Sequence, residues 1–117
     1  MTNLLFVYGT LKAGCKNHGE LPRGAELLGK TSVKGWDMWS VDGYYPAITP
    51  GNGVVQGEIY QVHASDWPLL DEFEGVHKLY KRQIVHADNG LDVQVYVWAN
   101  PWGVDLQRIE GGVWQEK

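Results

Sequence analysis

The stretch Leu4-Leu5-Phe6-Val7-Tyr8-Gly9-Thr10-Leu11, followed at once by Lys12-Ala13-Gly14, decides how this chain is read. The apolar, β-rich run from Leu4 to Tyr8 predicts a buried first strand over residues 3–9, which halts on Gly9-Thr10 before a second glycine at Gly14. A strand that ends on glycine presents successive backbone N–H groups with no ladder partner. Such groups can cradle an oxyanion or a carboxylate, and glycine lets a ligand approach the backbone closely. An edge strand closing into an ordinary turn has the same local pattern, so the rest of the chain decides between the two.

With 117 residues the chain has the size of one domain, residues 1–117, able to bury a core without disulfides or a structural metal. Fifteen glycines and few long helical patterns favour strands and tight turns, as in a small barrel. A net charge of −4 and the lack of a Lys/Arg cluster give no footprint for nucleic acid. No apolar run reaches membrane-spanning length, and residues 1–20 lack the charged and apolar regions of a signal peptide. A single cysteine, Cys15, excludes an intramolecular disulfide and fits a reducing, cytoplasmic setting. Nothing in the sequence forms an interface signature, so the oligomeric state stays open.

Residues 10–24 read as a loop with one short helical turn around Asn17 to Leu21. Ala25 to Val41 reads as two short strands or one bent strand, with Gly29 and Gly35 marking bulges. Asp42-Gly43 signals a turn, Tyr44 to Ile48 an extended segment, and Pro50-Gly51-Asn52-Gly53 a strong turn before a strand over Val54–Val62. Ser65 is the expected N-cap of a helix that runs through Leu69, Leu70 and Phe73 and stops at Gly75. Tyr80–Ala87 and Leu91–Trp98 are expected to form a hairpin about Asp88-Asn89-Gly90. Residues 100–117 read as an irregular tail, docked on the barrel through Trp102 and Trp114.

Asp71-Glu72-Phe73-Glu74 puts three carboxylates in the last turn of that helix, where the macrodipole favours cations. A local rule broken without visible compensation marks a candidate functional position. Glu74 borders the apolar stripe of Leu69, Leu70 and Phe73 and can point inward, whereas Glu72 faces water. Partial burial raises a carboxyl pKa toward the range of a general base, which makes Glu74 the candidate. Asp71, one turn earlier, is free to hydrogen-bond nearby backbone. Three solvated surface acids would give the same pattern.

Tyr8-Gly9-Thr10-Leu11-Lys12-x-Gly14, with Asn17-His18, resembles the opening of the γ-glutamylcyclotransferase family, most closely its γ-glutamylamine cyclotransferase-like branch. Leu70-Asp71-x-Phe73-Glu74-Gly75 and Leu79-Tyr80-x-Arg82 resemble the family's second signature, which contains its catalytic glutamate. Tyr45-Pro46-Ala47-Ile48 and Val55-Gln56-Gly57-Glu58-Ile59-Tyr60 resemble segments between the two, so residues 4–98 are covered in order. The resemblance implies an α+β fold, a small closed mixed β-barrel with one or two flanking short helices. It also implies a cofactor-independent enzyme that converts a small-molecule γ-glutamyl amine or amide into 5-oxoproline and a free amine. Glu74 would be the general acid/base. Tyr8, Gly9, Thr10 and Leu11 would bind substrate through their N–H groups, Tyr45 and Tyr80 would form a pocket wall, and Arg82 could meet the substrate α-carboxylate. The leaving amine stays open among an ε-lysyl isopeptide, a polyamine, a free amino acid and an antibiotic-pathway intermediate.

Two rival readings remain. Cys15 and His18, three residues apart, could form the nucleophile and base of a cysteine amidase, although no orienting acid is evident. A non-catalytic γ-glutamyl- or amide-binding module would keep the fold without the reaction and use Trp36, Trp39, Trp98, Trp102 and Trp114 as a partner surface. Barrel core and tail anchoring account for the same tryptophans. His63, His77 and His86 lack metal-ligand spacing, so no metal site is expected.

Overall fold

β1 (Leu4–Val7) lies inside the sheet, paired antiparallel with β3 (Tyr45–Gln61) on one side and parallel with β5 (Asp92–Trp98) on the other. The computed structural model describes residues 3–74, 79–99 and 106–115. The remaining elements are β2 (Glu26–Val41), α1 (Trp67–Glu74), β4 (Tyr80–His86) and β6 (Leu106–Ile109), with three short 3₁₀ turns. Among the described residues six strands form one mixed sheet in the order β4-β5-β1-β3-β2-β6. Both faces of β1 are covered. Phe6 and Tyr8 point into a core with Val33, Met38, Ile48, Val55, Val93 and Val95, capped by Trp114. Leu5 and Val7 point the other way, into a second core with Tyr60, Tyr96, and Trp67 and Leu70 of α1. A strand buried on both sides explains why the Leu4–Tyr8 run is continuously apolar rather than alternating.

The sheet curls into a half-barrel with β4 and β6 as its edges, the mixed-barrel architecture that the resemblance implies. The tip of the β4–β5 hairpin bridges the gap. Asp88 N–H donates to the Ser32 carbonyl of β2 at 2.9 Å, and the Ser32 hydroxyl bonds the Asp88 carboxylate. Curvature comes from β2, one bent strand with register shifts between Leu27 and Gly29 and between Lys34 and Trp36. Asp42 and Gly43, with φ of 52° and 81°, lie at the centre of the three-residue connection Asp42-Gly43-Tyr44 to β3, closed by Tyr44 N–H to the Val41 carbonyl at 3.0 Å.

Three expectations fail. Pro50-Gly51-Asn52-Gly53 does not reverse the chain, because β3 runs straight through it. The register passes from Trp36↔Pro50 to Lys34↔Val54, so Gly51-Asn52-Gly53 form a bulge opposite the single residue Gly35. A Cβ on Gly51 or Gly53 would stand 2.0 or 2.7 Å from the Asp37 carboxylate, so those glycines serve close cross-strand approach. The helical segment begins before Ser65. His63 and Asp66 cap a 3₁₀ turn at Ala64–Asp66 that leads into α1, with Asp66 Oδ2 accepting from His63 N–H at 2.9 Å. The tail is not wholly irregular, since β6 pairs antiparallel with Met38–Val41. Trp114 is buried as expected, whereas Gly75 and Trp102 lie outside the described residues. Among the described residues no helix is long and apolar enough to cross a membrane.

Candidate active site

The loop after β1, the start of β3 and the end of α1 meet around a cavity of about 230 Å³. Tyr8, Gly9, Thr10, Leu11 and Asn17 form one wall, Tyr45, Pro46, Leu79 and Tyr80 another, and Phe73 and Glu74 a third, with Tyr96 beside them. The glycine turn and the acidic helix end, about sixty residues apart in the chain, therefore share one space.

At Gly9, Thr10 and Leu11 the loop spends its carbonyls and keeps its amides. Gly9 O accepts from Lys12 N–H at 3.0 Å and Thr10 O from Asn17 N–H at 2.9 Å. The His18 Nδ1–H donates to Leu11 O at 2.8 Å, and Asn17 Nδ2 donates to the Thr10 hydroxyl at 3.0 Å. Among the described residues no acceptor meets the N–H groups of Gly9, Thr10 and Leu11. A cavity rim of free N–H donors can hold an anionic oxygen without reorganising. The missing side chain of Gly9 has a different use from the expected one. Its Cβ would lie 2.4 Å from Pro46 Cγ, so it is Pro46, not open space for a ligand, that fills that direction.

Glu74 ends α1 on the same face as Trp67 and Leu70, seven and four residues earlier, the two buried residues of the helix. Leu69 and Phe73, expected to carry the apolar stripe, are 70% and 41% exposed, and Phe73 stands at the edge of the cavity instead. Glu74 thus occupies a position where the pattern calls for an apolar side chain. The residue is partly accessible, but its carboxyl is close enough to Tyr8 and Tyr80 to raise the pKa of both phenols. Burial pushes the Glu74 carboxyl itself from an ordinary 4.5 up to about 7. A group that holds or releases a proton near neutrality can serve as acid and base in turn.

Tyr8 and Tyr80 are walls rather than donors to a ligand. Tyr8 OH donates to Tyr96 O and Tyr80 OH to Pro46 O, both at 2.7 Å. Tyr45 packs its ring 6.4 Å from that of Tyr80. Arg82 is the one candidate that does not reach the cavity lining. Its guanidinium pairs with Asp71 at 2.9 Å and lies 4.6 Å over the Trp67 ring. Among the described residues Asp71 bonds no backbone, contrary to expectation. It accepts from Tyr96 OH at 2.7 Å as well as from Arg82, so the three side chains pin α1 to β4 and β5.

Residues 5–116 match the family described as gamma-glutamyl cyclotransferase, AIG2-like. The chain belongs to this family. It is 34% identical over 114 residues to the gamma-glutamylcyclotransferase family protein YtfP of Escherichia coli K12, covering 97% of this chain and 96% of that one. It is also 34% identical over 97 residues to the human gamma-glutamylaminecyclotransferase, covering 72% of this chain and 61% of that protein. Among solved structures, protein PH0828 of Pyrococcus horikoshii superposes with a TM-score of 0.77 at 27% identity, covering 96% and 89% of the two chains.

In this AIG2-like γ-glutamyl cyclotransferase fold, several lining residues have no counterpart among the sequence candidates. Asn17, Phe73 and Leu79 were visible in the motifs but carried no role at the site, while Tyr96 becomes a neighbour of the site only through the packing of the sheet around the cavity. Cys15 and His18 both lie outside the lining of this cavity, so a Cys–His pair would not serve this site. Trp36 and Trp114 are core residues rather than a partner surface. Among the described residues no three His, Cys, Asp or Glu side chains converge as metal ligands.

Proposed function

We propose that the chain cyclises γ-glutamyl amines or amides to 5-oxoproline, with Glu74 as the proton carrier. The observation that carries this reading is a buried carboxyl raised to about 7 in the same cavity as the free amides of Gly9, Thr10 and Leu11. The substrate already tethers its α-amine to its side-chain carbonyl, so the site must only fold the chain, move a proton and hold developing charge. Glu74 takes a proton from the α-ammonium, and the freed amine attacks the γ-carbonyl carbon. A C–N bond forms while the carbonyl π pair moves onto oxygen, which the loop N–H groups receive. As the carbonyl re-forms, the original amide C–N bond breaks, Glu74 returns its proton to the departing nitrogen, and it then relays the second proton shed by the ring nitrogen to the amine, which leaves as its ammonium form. No water is consumed, and protons balance without a cofactor. The aromatic wall of Tyr45 and Tyr80 presses the γ-glutamyl chain toward ring closure, and the cavity of about 230 Å³ suits a glutamyl-sized group.

A 5-oxoproline release assay over γ-glutamyl amines and dipeptides, wild type beside Glu74→Gln, tests this. Turnover by the wild type with a loss of about a hundredfold or more in the variant is expected. Equal turnover removes Glu74 from the mechanism. Absence of turnover in both, with 5-oxoproline still bound, makes the protein a binding module.

A further inference from the structure

Glu58 stands in the middle of β3, opposite Val7 of β1 and Lys30 of β2, and is only 7% exposed. A carboxylate so enclosed is costly unless hydrogen bonds hold it. Two do. Glu58 Oε1 accepts from Ala13 N–H at 2.9 Å and from Tyr60 OH at 3.1 Å. The first of these bonds reaches 45 residues along the chain to seize the loop that follows β1. The bonds that wind this loop (Gly9 O to Lys12, Thr10 O to Asn17, Lys12 O to Cys15) are internal to it. They fix its shape but not its place on the sheet. Two other side-chain ties, Lys12 Nζ to Trp114 O and Lys16 Nζ to Tyr44 O, depend on long flexible lysines. The Glu58 tie comes from a rigid strand directly beside β1.

We propose that Glu58 is a positioning residue that sets the Gly9–Leu11 amides against the reacting oxygen through its hold on Ala13. The proposal rests on the cyclotransferase reading of the cavity. Its role is geometric, not electrostatic, since a negative charge near a developing oxyanion would oppose the reaction. Glutamine, which keeps the acceptor oxygen and drops the charge, should therefore substitute for it. An apolar residue should not, because it leaves Ala13 N–H and Tyr60 OH without an acceptor. Misplacing donors that act mainly in the transition state lowers kcat more than it raises KM.

The test compares steady-state 5-oxoproline release by wild type, Glu58→Gln and Glu58→Leu, with amide hydrogen exchange at Ala13 in the wild type. Glu58→Leu should lower kcat about ten- to a hundredfold with KM within about threefold, and Glu58→Gln should recover to within about threefold of wild type. The acid limb of the pH–rate profile should stay in place in both. A folded Glu58→Leu with wild-type kcat overturns the proposal, and so does a Glu58→Gln that falls as far as Glu58→Leu. Ala13 N–H should exchange far more slowly than the exposed Gly14 N–H, and equal exchange overturns the tie whether or not Glu58→Leu folds. If wild type releases no 5-oxoproline, the cyclotransferase reading fails by itself, and Ala13 exchange still decides whether Glu58 holds the loop.

Discussion

Replacing Glu74 by glutamine should cost activity and gain stability, with the gain confined to one side of neutrality. Burial moves the carboxyl from 4.5 to about 7, so the folded protein holds its proton more tightly than the unfolded chain does. Between those two values the native state binds more protons, and stability falls as pH rises. The stability that the neutral carboxyl allows is fully present below about 4.5 and lost as pH passes through about 7. Above that point the charged side chain costs at most about 3 kcal/mol, an upper figure because Glu74 is partly accessible to solvent. Glutamine has the same shape and never ionises, so it escapes this cost. Chemical unfolding of wild type and Glu74→Gln at pH 4 and at pH 8.5 would measure the effect. Near pH 4 the two should differ little, and near pH 8.5 the variant should be more stable by up to about 3 kcal/mol, or about 10 °C in Tm. A difference independent of pH would mean that the carboxyl is not buried as the cavity implies. A variant less stable at pH 8.5 than wild type would refute the assignment of burial as the dominant cause.

The same ionisation predicts that kcat/KM rises about tenfold per pH unit below 7 and levels above it, an acid limb that Glu74→Gln should lack. Gly9→Ala would set a Cβ 2.4 Å from Pro46 Cγ, against a rigid ring, and should lower stability by about 1–3 kcal/mol while distorting two cavity walls. An unchanged Tm in that variant would refute the close approach. Asp71→Ala and Arg82→Ala should each destabilise, with a coupling of about 0.5–3 kcal/mol in a double-mutant cycle, because the pair is partly buried and braced by Tyr96 and Trp67. If Arg82 acts only through α1, its loss should raise KM no more than the loss of Asp71 does. A selective rise in KM for Arg82→Ala would restore it as a carboxylate ligand.

What the sequence disclosed and what it hid follow from the range of the interactions involved. The Leu4–Tyr8 run, the Asp42-Gly43 turn and the hairpin about Asp88-Asn89-Gly90 are set by local backbone preference and burial, and all three are where the pattern puts them. Pro50-Gly51-Asn52-Gly53 carries the same local turn chemistry, yet the long β2–β3 ladder overrides it, and its glycines answer to Asp37 across the sheet. Gly9 misled in the same way, since Pro46 lies 37 positions away. Arg82 was reasonably considered as an anion ligand, because a strand position does not disclose which acid stands opposite. Asp71 of the helix claims it.

Glu74 was legible for the opposite reason. Its anomaly is local, since an acid at a helix C-terminus on a buried face violates both the dipole preference and the burial preference. Local violations can be read without knowing the fold. Glu58 shows the limit of that rule. An acid in an alternating strand looks like an ordinary solvent-facing residue, and only the return of the loop over β3, which brings Ala13 N–H to within 2.9 Å, makes it buried and bonded. The proposed base and the proposed device that aligns its partner donors are thus two glutamates, one visible as a broken helical rule and the other only through tertiary contact.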